Sequence, residues 1–494
     1  MLRSIKKLNI LILALTSKIS KNTVWLIILS IVIALSQFIV YALINKNLGK
    51  NLLGVWSLIV AATSIGQISN LGFSNSLVRY LPEMILKKKE EDIIKMIGTI
   101  NFTNFFLTLP LLVLLYFPAI IYASYLLSPS QLLVFKSIIP LSMAALFINN
   151  LFSVYSYLLD AMQKYYLRCI VQITGWIFFL VFSIFLMPAY GLYGVAIALL
   201  FQYILQFATI LSIIHFKGLL HKITPFHFDK KSFRIVSSFG VKSQYISILV
   251  IFFDPLVKLF ITKNIGLSAT ANYEISNKIV IQVRNLLVSA NQVIIPKIII
   301  QKEAGTESQY FKEISNKNIF LSVSAGMLVL LFAPLAVYFF SNGRDDTLMQ
   351  CIILLNIGWV CNMITSVHYY CSIGLDKIGK LVLYHLMLSL VVLILYFILN
   401  HFLYVTILYY IVPSVALFIG SIYNSYILLH KIENVFSWLR SGYFLYFIVV
   451  SSFLACFYFL NIITLNYLIM PVFFLLYICG FLKRHKISKP FNIQ

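Results

Sequence analysis

An all-α polytopic membrane protein with about fourteen transmembrane helices is the fold class this sequence predicts, and three observations predict it. Of 494 residues, 61% are hydrophobic and only 11% are charged, with a mean hydropathy of +0.93. A soluble domain has roughly 45–50% apolar and about 25% charged residues. The apolar residues fall in long runs without the period-two alternation of a lipid-facing barrel strand. Finally, fourteen spans of about 20 residues would use about 280 positions, which leaves only short connections. A soluble globular enzyme is thereby excluded.

The spans read, in order, as about 24–44, 52–72, 96–121, 137–159, 169–187, 194–216, 244–262, 271–294, 319–340, 348–373, 381–399, 404–429, 443–460 and 465–482. The leading stretch MLRSIKKLNILILALTSKISKN imitates a signal peptide. Its apolar run is short, no small-x-small cleavage site follows, and Lys18 and Lys21 come next, so it reads as an interfacial helix entering span 1. Span 8, ANYEISNKIVIQVRNLLVSANQVI, is too polar for hydropathy alone to find. The repeat described below and the alternation of loop charge place it.

The net charge of +23 comes from 38 Lys+Arg against 15 Asp+Glu. Loops on the side of the N-terminus carry thirty of the basic residues. The opposite loops hold five, Lys46, Lys50, Lys136, Lys263 and Arg344. The other three, Lys258, Lys278 and Arg284, lie inside spans. This asymmetry puts both termini in the cytoplasm and accounts for the charge without nucleic acid as a partner. The outer loops are all short, the longest being about 122–136. That opposes a glycan polymerase or glycosyltransferase working through a large outer loop.

The chain repeats itself. Ile44-Asn45-Lys46-Asn47-Leu48-Gly49 returns as Ile261-Thr262-Lys263-Asn264-Ile265-Gly266, and Pro82 with its charged tail MILKKKEED returns as Pro296 with KIIIQKEAG. Leu159-Asp160 with Lys164 returns as Leu375-Asp376 with Lys380. The offsets, 217, 214 and 216, are nearly constant. Six spans make one unit, so the two copies run the same way through the membrane, an architecture of transporters with a site between halves. The predicted organisation is residues 1–217 (helices 1–6), 218–429 (helices 7–12) and 430–494 (a C-terminal hairpin, helices 13–14, with a basic tail).

Charges inside spans are the residues that stand out. A charged side chain at mid-bilayer costs at least ~2.5–3.5 kcal/mol, so it should face water or protein. At 100° per residue, Asn277, Arg284 and Asn291 share one row of span 8, and Glu274, Lys278, Asn285 and Gln292 the adjacent row. Span 7 adds Asp254 and Lys258 around Pro255. Two arrangements are open. Asp254–Lys258 and Glu274–Lys278 have i,i+4 spacing and could be self-neutralising pairs, with Arg284 bridging to Asp254. Otherwise the same groups line a mildly basic cavity suited to a phosphate, which a guanidinium can bind in bidentate fashion. Gln67 and Asn70 in span 2 read as packing groups or as contacts for sugar hydroxyls. Gln37, His368 and His385 read as interhelix hydrogen bonders, with the histidines as candidates for proton coupling.

Catalytic and metal-binding patterns do not emerge. There is no Gly-rich phosphate loop, GxSxG or glycosidase-like carboxylate pair, so an enzyme, including an ATPase, is not expected. The cysteines Cys169, Cys351, Cys361, Cys371, Cys456 and Cys479 lie in or beside apolar segments without CxxC spacing. They read as buried free thiols with no zinc, and no cofactor is expected.

Two stretches of the first half, YALINKNLGKNLLGVWSL and LGFSNSLVRYLPEMILKKKEED, resemble Wzx-type polysaccharide flippases of the MOP flippase superfamily. In the second half DPLVKLFITKNIGLSATANYEISNKI, Pro296 and GLDKIGK are similar to that family's corresponding stretches. The resemblance implies a MOP/MATE-like V shape of two six-helix lobes around a cavity. It implies export of undecaprenyl-diphosphate-linked oligosaccharide repeat units, for O-antigen, capsule or exopolysaccharide, across the bacterial inner membrane. Alternating access would drive this, with H⁺ or Na⁺ coupling as an option. The implied cavity cations are Lys258, Lys278, Arg284 and, at the cytoplasmic mouth, Arg79. Asp254 and Glu274 would tune the charge or take up the ion, and Asn277, Asn285, Asn291, Gln67 and Asn70 would be polar lining. Partners would be the lipid-linked substrate, membrane lipid, a polysaccharide polymerase and a chain-length regulator. A MATE-like multidrug antiporter and a lipid II flippase are the alternatives.

Overall fold

In the computed structural model the described residues are 2–66, 73–86, 90–217, 227–291, 294, 298, 301–302, 305–341, 343–375, 377–402, 406–429, 438–459 and 477. Every secondary-structure element among them is an α-helix. The chain divides into two compact units, Met1–Pro255 and Leu256–Gln494.

The first unit contains α1 (Leu2–Leu48), α2 (Lys50–Gly66), α3 (Phe73–Leu86), α4 (Glu90–Leu126), α5 (Pro129–Ala161) and α6 (Tyr165–Phe216), and most of α7 (Lys230–Asn264). Helix α5 is its central element, packed against α2, α3, α4 and α6. The stretch 73–95, expected as a basic connection, is largely helical. Phe73, Leu77 and Leu81 recur every fourth residue, so one face of α3 buries against Met96 and Ile100 of α4 and Tyr155 and Leu159 of α5. Asp160, at the end of α5, is buried and pairs with Arg168 at 2.5 Å across the turn into α6. Helix α6 is two helices joined by a kink at Gly191 (φ 57°, ψ −138°), just after Pro188, and these are the fifth and sixth predicted spans. Asp229 opens α7. It accepts a hydrogen bond from the Ser232 amide at 2.7 Å, and the Ser232 side chain and amide hold its carboxyl below the usual carboxylate range.

The second unit contains the end of α7, then α8 (Leu267–Asn291), α9 (Glu307–Ser341), α10 (Asp346–Ile364), α11 (Ser366–Gly374), α12 (Ile378–Phe402), α13 (Thr406–Leu429) and α14 (Gly442–Phe459). Helix α10 sits at its centre, against α8, α9, α13 and α14. Between α10 and α11 the ladder breaks at Thr365 (φ −87°, ψ 3°). Buried carbonyls freed by such a break need other donors. Asn318 of α9 donates to Met363 O and Ile364 O at 2.9 and 2.8 Å, and Asn424 of α13 adds a second bond, at 2.9 Å, to Thr365 O, which also accepts from Tyr369 N.

The predicted repeat is visible in the elements. Helices α2 and α8 start at Lys50 and Leu267, α4 and α9 at Glu90 and Glu307, and α5 and α10 at Pro129 and Asp346, each pair 217 residues apart. Both repeated turns depend on a left-handed residue, Gly49 (φ 86°) and Gly266 (φ 112°), a conformation a side chain disfavours. Each lets one long helix end and the next begin almost at once.

Large apolar side chains such as Leu114 and Phe117 of α4, Phe185 of α6 and Leu335 of α9 lie on the outside. This exterior suits hydrocarbon and not water. Eight helices among the described residues are long and apolar enough to cross a membrane, and α2 and α14 supply shorter apolar helices. Cys169, Cys351, Cys361 and Cys371 are buried free thiols. Cys456 and Cys479 lie outside the residues whose side chains are described.

Gly358 sets the distance between α10 and α13. A Cβ there would lie 2.5 Å from the Ser414 Cα, beside the bond from Ser414 Oγ to Leu354 O at 2.6 Å. Gly358→Ala should therefore destabilise the protein by about 1–3 kcal/mol through overpacking, read as a lower unfolding midpoint in detergent. Gly379→Ala, where a Cβ meets nothing within 4 Å, is the control.

Candidate binding site around Arg284

The polar helix α8 organises the site, and the turn at Gly266 brings it back along the end of α7. Thr262 and Thr270 clasp that turn, their hydroxyls 2.7 Å apart. One turn deeper, Lys258 Nζ lies 2.6 Å from Glu274 Oε2, with the two side chains 2% and 1% exposed. Lys278 Nζ approaches Glu274 Oε1 at 3.9 Å and is 30% exposed. Glu274 thus pairs across helices with Lys258 and along its own helix with Lys278, the second being one of the i,i+4 pairs that the spacing offered. Lys258, expected as a cavity cation, is buried and occupied by Glu274. Burying an ammonium without a counter-ion is costly, and Glu274 is the group that makes its burial tolerable.

Arg284, further along α8, has a different environment. Its Nε donates to Asn362 Oδ1 of α10 at 2.8 Å, and Nη1 donates to Asn285 Oδ1 at 3.1 Å. Its guanidinium lies over the Trp359 ring, 5.1 Å from the centroid. Asn362 in turn donates to the Tyr384 hydroxyl of α12 at 3.0 Å. His385 packs edge-on against Tyr384, 4.7 Å between centroids, and its Nε2 lies 3.3 Å from the Tyr369 hydroxyl. Within the second unit no described carboxylate reaches Arg284. Its charge is held by amides and aromatic faces and is not cancelled. A guanidinium has five N–H donors; Nη2 and the second N–H of Nη1 have no described partner. Arg284 is half-buried and Asn285 exposed, so that edge is the reachable one.

The other expected site residues fall as follows. Asn277 Oδ1 accepts from Trp359 Nε1 at 3.0 Å. Asn291 donates to Asn318 Oδ1 and Ser366 Oγ at 2.8 and 2.7 Å, beside the Thr365 break. Both are framework contacts. Asp254 is half-buried and belongs to the first unit. Gln67 and Asn70, the side chain of Arg79, and the repeat partner Asp376 lie outside the described residues. His368 is buried, with the Phe311 ring edge-on at 5.0 Å. The sequence reading missed Trp359, Asn362 and Tyr384 around Arg284, and Asn318 and Asn424 at the break. The available signal was Trp359 and Asn362 three residues apart in a largely apolar helix.

No family model and no curated protein matches this sequence, but solved structures do match its fold. The lipid II flippase MurJ, in an inward closed conformation, is similar with a TM-score of 0.72 at 14% identity, over 94% of this chain and 99% of its own. The fold is that of the MOP-superfamily transporters. A multidrug-resistance MATE transporter of that superfamily, in an inward-facing conformation, has a TM-score of 0.66 at 13% identity over 83% of this chain and 96% of its own. A MOP-superfamily transporter from Pyrococcus furiosus, described by a reversed polarity of its binding pocket, has a TM-score of 0.59 at 13% identity over 85% and 97%. At these identities the likeness is one of fold. The chain is a multi-pass membrane protein with this fold, and what it does must be argued from its own residues.

Proposed function

We propose that the protein is a flippase that moves undecaprenyl-diphosphate-linked oligosaccharide repeat units from the inner to the outer leaflet of the bacterial inner membrane, with both termini cytoplasmic. The observation that carries the reading is Arg284: a half-buried guanidinium, free of carboxylates within its unit, with an open N–H edge on a MOP fold. Such a group favours an oxyanion over a cationic drug, and a phosphate matches its fork. Lys278, 30% exposed and 3.9 Å from Glu274, is the second cation assigned to the diphosphate. Lys258 holds Glu274 in place, and Asp254 is the carboxylate assigned to H⁺ or Na⁺ coupling. An inside-negative potential favours outward passage of an anion by ~2.3 kcal/mol per charge per 100 mV. A polymerase and a chain-length regulator would act downstream on the flipped unit.

The similarity to MurJ over nearly both whole chains favours a second reading within the same chemistry, the lipid II precursor of peptidoglycan. Two measurements decide. Cells lacking the gene should accumulate unpolymerised, inward-facing lipid-linked repeat units and grow normally. The gene should fail to rescue cells depleted of their lipid II flippase. Rescue there would transfer the assignment to lipid II. Drug efflux in a pump-deficient host, with normal surface glycan in the deletion strain, would defeat both readings.

A further inference from the structure

Trp359 is the residue that joins two members of the α8 polar row, Asn277 and Arg284. Its indole Nε1–H is fixed by Asn277 Oδ1 at 3.0 Å, and its ring face carries the Arg284 guanidinium 5.1 Å from the centroid. Asn277 and Arg284 are seven residues apart on α8, two turns along one face. Trp359 sits on the buried helix α10 and is itself buried. Three residues along the same helix, Asn362 takes the Nε–H of Arg284 at 2.8 Å and is steadied by the Tyr384 hydroxyl at 3.0 Å.

A free arginine side chain samples many rotamers, and ordering it on a ligand costs entropy that a preorganised fork does not lose. Here one face of the guanidinium is covered by the indole and the Nε edge is taken by Asn362. Asn285 takes one hydrogen of Nη1. The edge that remains is the one formed by Nη1 and Nη2, whose geometry suits one phosphoryl group.

We infer that Trp359 is a positioning residue for anion recognition, locking Arg284 through its ring face while Asn277 locks the indole, so that the Nη1/Nη2 edge meets a single phosphoryl group of a lipid diphosphate. This rests on the reading of Arg284 as the substrate's anion site. It adds that orientation, and not charge alone, gives the site its affinity. It also assigns the second phosphoryl group to another cation, for which Lys278, 30% exposed on the same helix, is the candidate.

The test is equilibrium binding of undecaprenyl diphosphate and undecaprenyl monophosphate to the purified full-length protein in detergent. Native protein is compared with Trp359→Leu, Trp359→Phe, Arg284→Ala and Arg284→Lys, each checked for a native-like unfolding midpoint. Trp359→Leu should weaken binding of both lipids roughly tenfold, in line with a desolvated cation–π contact. Trp359→Phe, which keeps a ring under the guanidinium, should recover most of that loss. Arg284→Lys should bind no better than Trp359→Leu. Lys278→Ala should weaken the diphosphate and leave the monophosphate within about twofold. If Trp359→Leu does not fold, Trp359→Phe against Asn277→Ala supplies the comparison, both expected to lose less than Arg284→Ala. Loss of binding in Arg284→Ala with native affinity in Trp359→Leu would overturn the positioning role and leave the anion site standing. Equal, severe loss in the Phe and Leu variants would overturn it as well. Undiminished binding in Arg284→Ala would remove the anion site, and the inference would fall with it.

Discussion

Arg284→Ala should abolish surface glycan while the protein still reaches the membrane in native amount. The side chain is half-buried and its partners are neutral, so its removal strands no counter-charge, and Asn285 is open to solvent. The expected damage is therefore to recognition and not to folding. A hydrogen bond to a charged group contributes about 1.5–3 kcal/mol, and a phosphoryl group on the Nη1/Nη2 edge would lose at least two of them. Transport should fall by two orders of magnitude or more. Arg284→Lys should remain at least tenfold impaired, because a point ammonium reproduces neither the Nε bond to Asn362 nor the planar edge. Quantitative staining of surface polysaccharide, with immunoblotting of membranes, reads both. Native glycan from the alanine variant would remove Arg284 from the substrate path.

Glu274→Gln should have the largest effect on stability. It leaves the Lys258 ammonium, 2% exposed, without its counter-ion at 2.6 Å. Breaking one side of a buried pair typically costs about 3–5 kcal/mol, whereas replacing both partners with apolar groups of similar volume is often neutral. The single variant should lose most of its folded yield, and the double variant Lys258→Met with Glu274→Leu should regain it. Lys278→Ala should shift the unfolding midpoint less than Glu274→Gln, since Lys278 is 30% exposed and lies 3.9 Å from Glu274. A Glu274→Gln protein as stable as the native one would show that water or another group compensates Lys258.

The sequence carried the architecture because architecture is a matter of repeated composition. Long apolar runs, loop charge and the Gly49 and Gly266 turns recur at a fixed interval, and the helices α2, α4 and α5 restart at that same interval in the second half. Helix α3 was less legible. Its sequence mixes the buried stripe Phe73, Leu77 and Leu81 with a basic residue and a proline, so charge counting assigned it to a connection. The partner of Lys258 was not legible either. Spacing offers only neighbours on one helix, such as Asp254, whereas the α7–α8 turn sets Lys258 beside Glu274. The same holds for Trp359, Asn362 and Asn318. Their contacts link residues 45 to 82 positions apart, and nothing in an apolar helix marks which amide will face which neighbour.

The cross-helix pairing at the α7–α8 turn also constrains biogenesis. Helix α8 is not among the apolar spans found among the described residues, and the ends of α7 and α8 that meet at this turn each carry charges that a translocon would release into lipid only reluctantly, at ~2.5–3.5 kcal/mol apiece. Once Lys258 has met Glu274 that penalty is largely cancelled. The pairing favours release of the two helices from the translocon together as a hairpin, and a nascent chain stalled after Gly266, eight positions before the acidic residue, should still be held there.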